Sequence, residues 1–136
     1  MPASVRGRCD AIEECYEFML AYAAQGLSGD VGQDSAGQSS AGQLRTLLSR
    51  AEEALDGLAG AFREAIAGAG LTPAAPYEAF LTVLDRDAAA SLAAIRLVLA
   101  QPAISSQLVD NLNASIHLRA LLTDLFLIDE ILHPRA

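Results

Sequence analysis

The segment from Leu118 to Leu132 is apolar on nearly every face of the helix that it predicts. A helix at the surface of a single bundle needs an apolar stripe only about 100° wide. The wider apolar surface indicates that this helix is covered by its own bundle on one side and by another chain on the other. We therefore expect the interface to be built from seven residues of this helix: Leu118, Leu121, Leu122, Leu125, Phe126, Ile128 and Leu132.

Four segments have the periodicity of helices, at about 4–25, 41–69, 76–101 and 105–133. The second has the clearest pattern, because its apolar residues alternate steps of four and three. Such a heptad pattern is typical of helices that pack side by side at a shallow angle. The residues that carry it are Leu44, Leu48, Ala51, Leu55, Leu58, Phe62, Ala65 and Ala69.

The links between these segments predict how the helices are arranged. The stretch 26–42 is rich in Gly, Ser and Gln, so we expect a flexible loop there. Pro76 and Pro102 mark two short links, which favour antiparallel neighbours. No segment is a strong strand candidate. The sequence thus predicts an all-α fold, an up-and-down four-helix bundle in a single domain spanning 1–136, with a helix-mediated homodimer interface.

Charge excludes several classes of function. The net charge is −8, all nine cationic side chains are Arg, and there is no Lys. A Schiff base, a lysine general base and a P-loop lysine are therefore impossible. An acidic chain repels phosphate backbones, so we expect no nucleic-acid partner. No window approaches about 18 uninterrupted apolar residues, so we expect no membrane partner and a cytoplasmic protein.

No set of residues points clearly to catalysis or to a cofactor. Di-iron helical bundles need a Glu-x-x-His pair on each of two helices, and only Glu130 with His133 has this spacing. His117 is expected in the middle of the last helix, within a polar patch that can set the register of packing. We therefore predict no catalytic residue, no metal and no cofactor.

The leading hypothesis is a small non-catalytic accessory or adaptor protein, a homodimer that can also bind a protein partner. A second hypothesis is a bundle that binds a small apolar or aromatic ligand between alanine-rich helices. Its polar contacts would come from four candidate residues, Tyr16, Tyr22, Tyr77 and His117. A third hypothesis is a metal-binding or enzymatic bundle, because helices can bring together residues that are far apart in sequence.

Overall fold

The computed structural model describes residues 4–27 and 35–133, and all the regular elements in these ranges are α-helices. The all-α class is thus confirmed. The number of helices differs from the prediction, because two of the four expected helices are each divided by a bend. The six helices are α1 Val5–Ala23, α2 Ser35–Leu55, α3 Leu58–Ala69, α4 Ala74–Leu99, α5 Ser106–Asn113 and α6 Ile116–Leu132.

Helix α1 begins with a side-chain cap and buries one stripe. The Ser4 hydroxyl accepts a hydrogen bond from the Gly7 backbone N–H at 3.0 Å, which satisfies one of the free donors of the first turn. Gly26 has φ +69° just after the helix, a left-handed conformation that suits a residue without a Cβ. The buried residues recur every three or four positions, at Cys9, Ile12, Cys15, Met19 and Tyr22.

The expected flexible loop at 26–42 is only partly a loop. Helix α2 begins at Ser35, so the prediction was wrong for 35–42, whereas 28–34 lies outside the described residues. Leu44 and Leu48 are fully buried and fix the helix against its neighbours. Once a helix is fixed in this way, each added residue gains a backbone hydrogen bond, so the helix extends into a weakly helical sequence.

The expected helix 41–69 is divided at Gly57. This glycine has φ +78°, which ends α2 at Leu55 and lets α3 begin at Leu58. The Arg8 guanidinium donates hydrogen bonds to the carbonyls of Ala54 at 3.0 Å and Asp56 at 2.6 Å. It therefore satisfies acceptors that the end of α2 leaves without helical partners. The heptad pattern continues through the bend, which explains why periodicity alone predicted one helix.

Two glycine substitutions test this bend with opposite expected signs. Gly57→Ala should lower the free energy of unfolding by about 1 kcal/mol, because a side chain disfavours a positive φ. Gly60→Ala should raise it by about 0.5–1 kcal/mol, because Gly60 lies inside α3 with open space around a Cβ. Urea unfolding of both variants measures the two shifts. A stabilising Gly57→Ala would contradict the left-handed turn.

The expected helix 105–133 is also divided. α5 ends at Asn113 and α6 begins at Ile116, after Ala114 and Ser115. The bend lets α5 pack against α1 while α6 packs against α4. One straight helix could not follow both neighbours, which is the physical reason that the single-helix prediction failed. His117 consequently lies in the first turn of α6 and not in the middle of a helix.

Helices α1 and α4 organise the packing. α1 contacts α2, α3 and α5, whereas α4 contacts α2, α3 and α6 and, less extensively, α5. One apolar core fills the space between them, with Phe62, Leu84 and Leu125 among its fully buried side chains. The Arg45 guanidinium caps the end of α4, since it donates to the carbonyls of Leu99 at 3.2 Å and Gln101 at 2.6 Å.

Four hydrogen bonds join the end of α1 to the start of α5. The buried Tyr22 hydroxyl donates to the Ile104 carbonyl at 2.6 Å. The Ser106 hydroxyl donates to the Tyr22 carbonyl at 2.6 Å and accepts from the Leu27 N–H at 2.8 Å. The Ser106 N–H donates to the Leu27 carbonyl at 2.8 Å. These bonds, which we call the α1–α5 junction, fix where the chain enters its final two helices.

Tyr22→Phe should lower the free energy of unfolding by about 1–3 kcal/mol, because the buried Ile104 carbonyl loses its hydrogen-bond donor. Tyr16→Phe is the matched control, since Tyr16 lies on the same helix but is only partly buried. Its effect should stay within about 0.5 kcal/mol. Chemical denaturation of both variants gives the comparison, and equal losses would show that the Tyr22 hydroxyl contributes nothing specific.

Candidate interaction face

Most of the large apolar side chains that the structure leaves exposed lie on two neighbouring helices, α4 and α6. Val83 and Leu97 of α4 and Ile116, Leu127 and Ile131 of α6 are between 44% and 75% exposed. Helical spacing of three and four places them with partly buried residues along one side of the α4–α6 pair. We call this surface the α4/α6 face; it comprises Phe80, Val83, Asp87, Ala90, Ala94 and Leu97 of α4 with Ile116, Ala120, Asp124, Leu127 and Ile131 of α6.

The two helices of this face run in opposite directions. A groove of about 360 Å³ joins the first turns of α4 to the last turns of α6. Its lining is predominantly apolar, which suits a large apolar side chain. Phe80, Leu127 and Ile131 belong to both the groove and the face, so the groove is one end of the face. The complete lining is Thr72, Pro73, Pro76, Tyr77, Phe80, Leu127, Ile128 and Ile131.

Two carboxyl groups meet in the middle of the face. Burial raises the pKa of Asp124 to about 7, with further contributions from a hydrogen bond to the Asp87 carboxyl and from its negative charge. Asp124 Oδ2 is inaccessible to solvent and has no hydrogen-bond partner among the described residues. The Ser91 hydroxyl, one turn from Asp87 on α4, is likewise buried and unpartnered. An apolar surface thus surrounds a polar layer in which Asp124 Oδ2 and the Ser91 hydroxyl have no hydrogen-bond partner among the described residues.

The four residues predicted to contact a ligand differ in burial and position. Tyr77 lines the groove, but Tyr16, Tyr22 and His117 do not. Tyr22 is fully buried, and its hydroxyl is occupied by the Ile104 carbonyl. His117 is exposed at the start of α6. None of the described grooves is lined by more than one of these four residues.

Most of the predicted interface residues serve the chain's own core. Leu118, Leu121, Leu122, Leu125 and Ile128 are buried, and Leu132 is partly buried against them. Phe126 is 58% exposed, but its position on the helical wheel is away from α4 and outside the face. On the side of α6 next to α4, the exposed large apolar side chains are instead Ile116, Leu127 and Ile131.

Sequence analysis missed Asp124, Leu127 and the role of Asp87. A signal was present, because apolar or small residues recur on α4 at 80, 83, 90, 94 and 97, forming a second stripe beside the buried one. Only packing shows which stripe the core covers. The approach of Asp87 to Asp124 joins residues that are far apart in sequence, and no local pattern predicts it.

The other reactive side chains are two buried cysteines and a histidine at the end of α6. Burial, with nearby carboxylates, raises the pKa of the Cys9 and Cys15 thiols to about 12. Both are thus protonated and poor nucleophiles near neutral pH. His133 Nδ1 lies 3.2 Å from Asp129 Oδ1 at the end of α6. Within 4–27 and 35–133, no group of three or more His, Cys, Asp or Glu residues is placed to hold a metal ion.

No protein-family model, no curated protein and no solved structure matches this chain. Among the described helices, none combines the length and apolar character that crossing a bilayer requires.

Asp124→Asn should stabilise the protein at pH 8 by about 1 kcal/mol, a value that allows for partial solvent screening. A raised carboxyl pKa means that the folded chain binds the proton more tightly, so wild-type stability falls as pH rises from about 4 to 7. The gain from the amide should therefore be largest above pH 7 and smallest near pH 4.

Urea unfolding at pH 4.5, 6 and 8 measures this dependence, and Asp85→Asn on the exposed side of α4 is the matched control. A gain that is the same at every pH would show that charge at Asp124 is not responsible.

Proposed function

We propose that this protein is a non-catalytic helical interaction module, an accessory or adaptor that binds a helix of another protein on its α4/α6 face. The observation that carries the proposal is the row of half-exposed apolar side chains along two adjacent antiparallel helices. Monomeric soluble proteins rarely leave large contiguous apolar surfaces uncovered unless they bind something. Apolar side chains along one side of two adjacent helices, with a groove at one end, suit a single amphipathic helix.

The residues along the channel fit this mode of binding. Alanines at 90, 94 and 120 are small, so an incoming helix can approach closely in the middle of the face. Larger side chains stand at its ends, namely Phe80 and Ile131 at one end and Leu97 and Ile116 at the other. Burying these apolar groups would contribute about 25 cal/mol for each Å² removed from water.

A second copy of the chain is the other occupant, and it would give the homodimer that the sequence predicts. Such an isologous contact places the same patch of both subunits face to face. In this protein it would use Val83, Leu97, Leu127 and their neighbours in place of the buried leucines of α6. Because each chain carries a net charge of −8, two copies also repel each other at long range.

Leu127→Arg should abolish binding to the natural partner, because it places a charge in the apolar face. Leu127 is 53% exposed, so the substitution should cost little folding stability. Leu20→Arg is the matched control, since Leu20 is 48% exposed on α1, away from the face. Tagged wild-type protein and both variants would be used for capture from the native cell extract, with mass spectrometry of the bound proteins.

A protein retained by wild type and Leu20→Arg but lost from Leu127→Arg supports the proposal. Equal retention by all three proteins, or retention of nothing, contradicts it. Light scattering of the purified proteins shows in parallel whether the lost partner is a second copy.

The groove at Tyr77 also supports a second candidate function, binding of a small apolar or aromatic ligand. The supporting observation is its volume of about 360 Å³ with Tyr77 at the edge. A ligand of this kind would bury Tyr77 and Phe80. It would make no contact with Val83, Leu97 or Ile116. Retention of a small molecule by wild-type protein and by Leu97→Arg alike would favour this candidate over helix binding.

A further inference from the structure

The carboxyl pair lies at the same spacing from the groove on both helices of the face. Asp87 follows Phe80 by seven residues on α4, and Asp124 precedes Ile131 by seven residues on antiparallel α6. Seven residues are two helical turns and span about 10 Å. The carboxyl pair therefore lies about 10 Å from the apolar groove, measured along the direction that a docked helix would follow.

The pair lacks a cationic partner within the described residues. The ion pairs there join Arg63 to Glu78, Arg96 to Glu52 and His133 to Asp129. None reaches Asp87 or Asp124, and Asp124 Oδ2 accepts no hydrogen bond. Covering the face with a purely apolar helix would bury these groups further and would be unfavourable. Covering it with a helix that supplies a cation would offset the negative charge of the pair.

None of the residues that make up the α4/α6 face is an arginine, so a second copy presents carboxyl groups at the centre of the same face. Asp87 and Asp124 lie between the two apolar ends of the face, so a two-fold contact over the whole face sets one carboxyl pair against the other. Four carboxyl groups would then share one poorly solvated layer, which opposes ionisation of all of them and disfavours the contact. The charge pattern thus selects against self-association and in favour of a basic partner.

We infer that the α4/α6 face binds one amphipathic helix of another protein, which places a large apolar side chain in the groove at Tyr77 and an arginine or lysine two turns away against Asp87 and Asp124. The inference rests on the proposed function and adds the chemistry of the partner. It also fixes a spacing, because the apolar anchor and the cation must stand about seven residues apart.

Synthetic helices test this spacing with purified full-length protein. The first peptide has about 21 residues with apolar heptad positions, a tryptophan anchor and an arginine seven residues after it. In the second peptide the arginine exchanges places with a serine two positions further on, which turns it about 200° away at the same net charge. In the third, leucine replaces the arginine. Isothermal titration calorimetry gives each affinity for wild-type protein and for the Asp87→Asn/Asp124→Asn variant.

We expect the first peptide to bind wild-type protein about tenfold more tightly than the other two. This preference should disappear in the double variant, although the peptides should still bind. If the leucine peptide binds wild type as tightly as the first, and Leu127→Arg abolishes both, the face docks helices but the cation inference is wrong. If none of the peptides binds, the inference is overturned, and the capture experiment alone decides the proposed function.

Proton release provides a second readout. Asp87 of α4 is the charged group that raises the pKa of Asp124, and α5, which also packs on α6, carries only the exposed Asp110. A cation beside the pair lowers that pKa, so the first peptide should release protons at pH 6.5 and the leucine peptide should not. Calorimetry in two buffers of different ionisation enthalpy measures the release. Equal release by both peptides, or self-association of wild type that Leu127→Arg prevents, would overturn the inference.

Discussion

The α1–α5 junction is the constraint on which the rest of the arrangement depends. Tyr22 and Ser106 bind the short link after α4 to the end of α1, so α5 must pack along α1. The chain can then reach the open side of α4 only by bending after Asn113. This bend brings α6 onto α4 and creates the paired helices of the α4/α6 face. The α1–α5 junction thus decides which apolar surfaces of α4 and α6 are covered.

The carboxyl pair shows a conflict between stability and binding. Two acidic groups that share a partly buried layer repel each other, and an apolar pair at the same place would stabilise the isolated chain better. In the complex that we propose, a cation of the partner would lower this cost, because it would offset the negative charge of the pair. A site that is unfavourable alone and favourable when occupied is the arrangement expected of a specific docking surface.

The all-α class and the helical segments were predictable because apolar residues repeat every three or four positions along most of the chain. The two bends were not. Gly57 interrupts no part of the heptad pattern, and Ser115 lies in a polar stretch that is compatible with a continuous helix. In both places the deciding interactions come from elsewhere, from the Arg8 guanidinium for the first bend and from the different neighbours of α5 and α6 for the second.

The sequence by itself determined that this chain is helical, acidic and without lysine chemistry, because these properties follow from composition and local periodicity. It also showed that α6 carries more apolar surface than one contact requires. Only the tertiary structure decided how that surface is divided. Leu121 and Leu125 face the core, whereas Leu127 and Ile131 face outward, since α4 covers just one side of α6. The meeting of Asp87 and Asp124 likewise depends on the antiparallel register of two helices, which no local pattern contains.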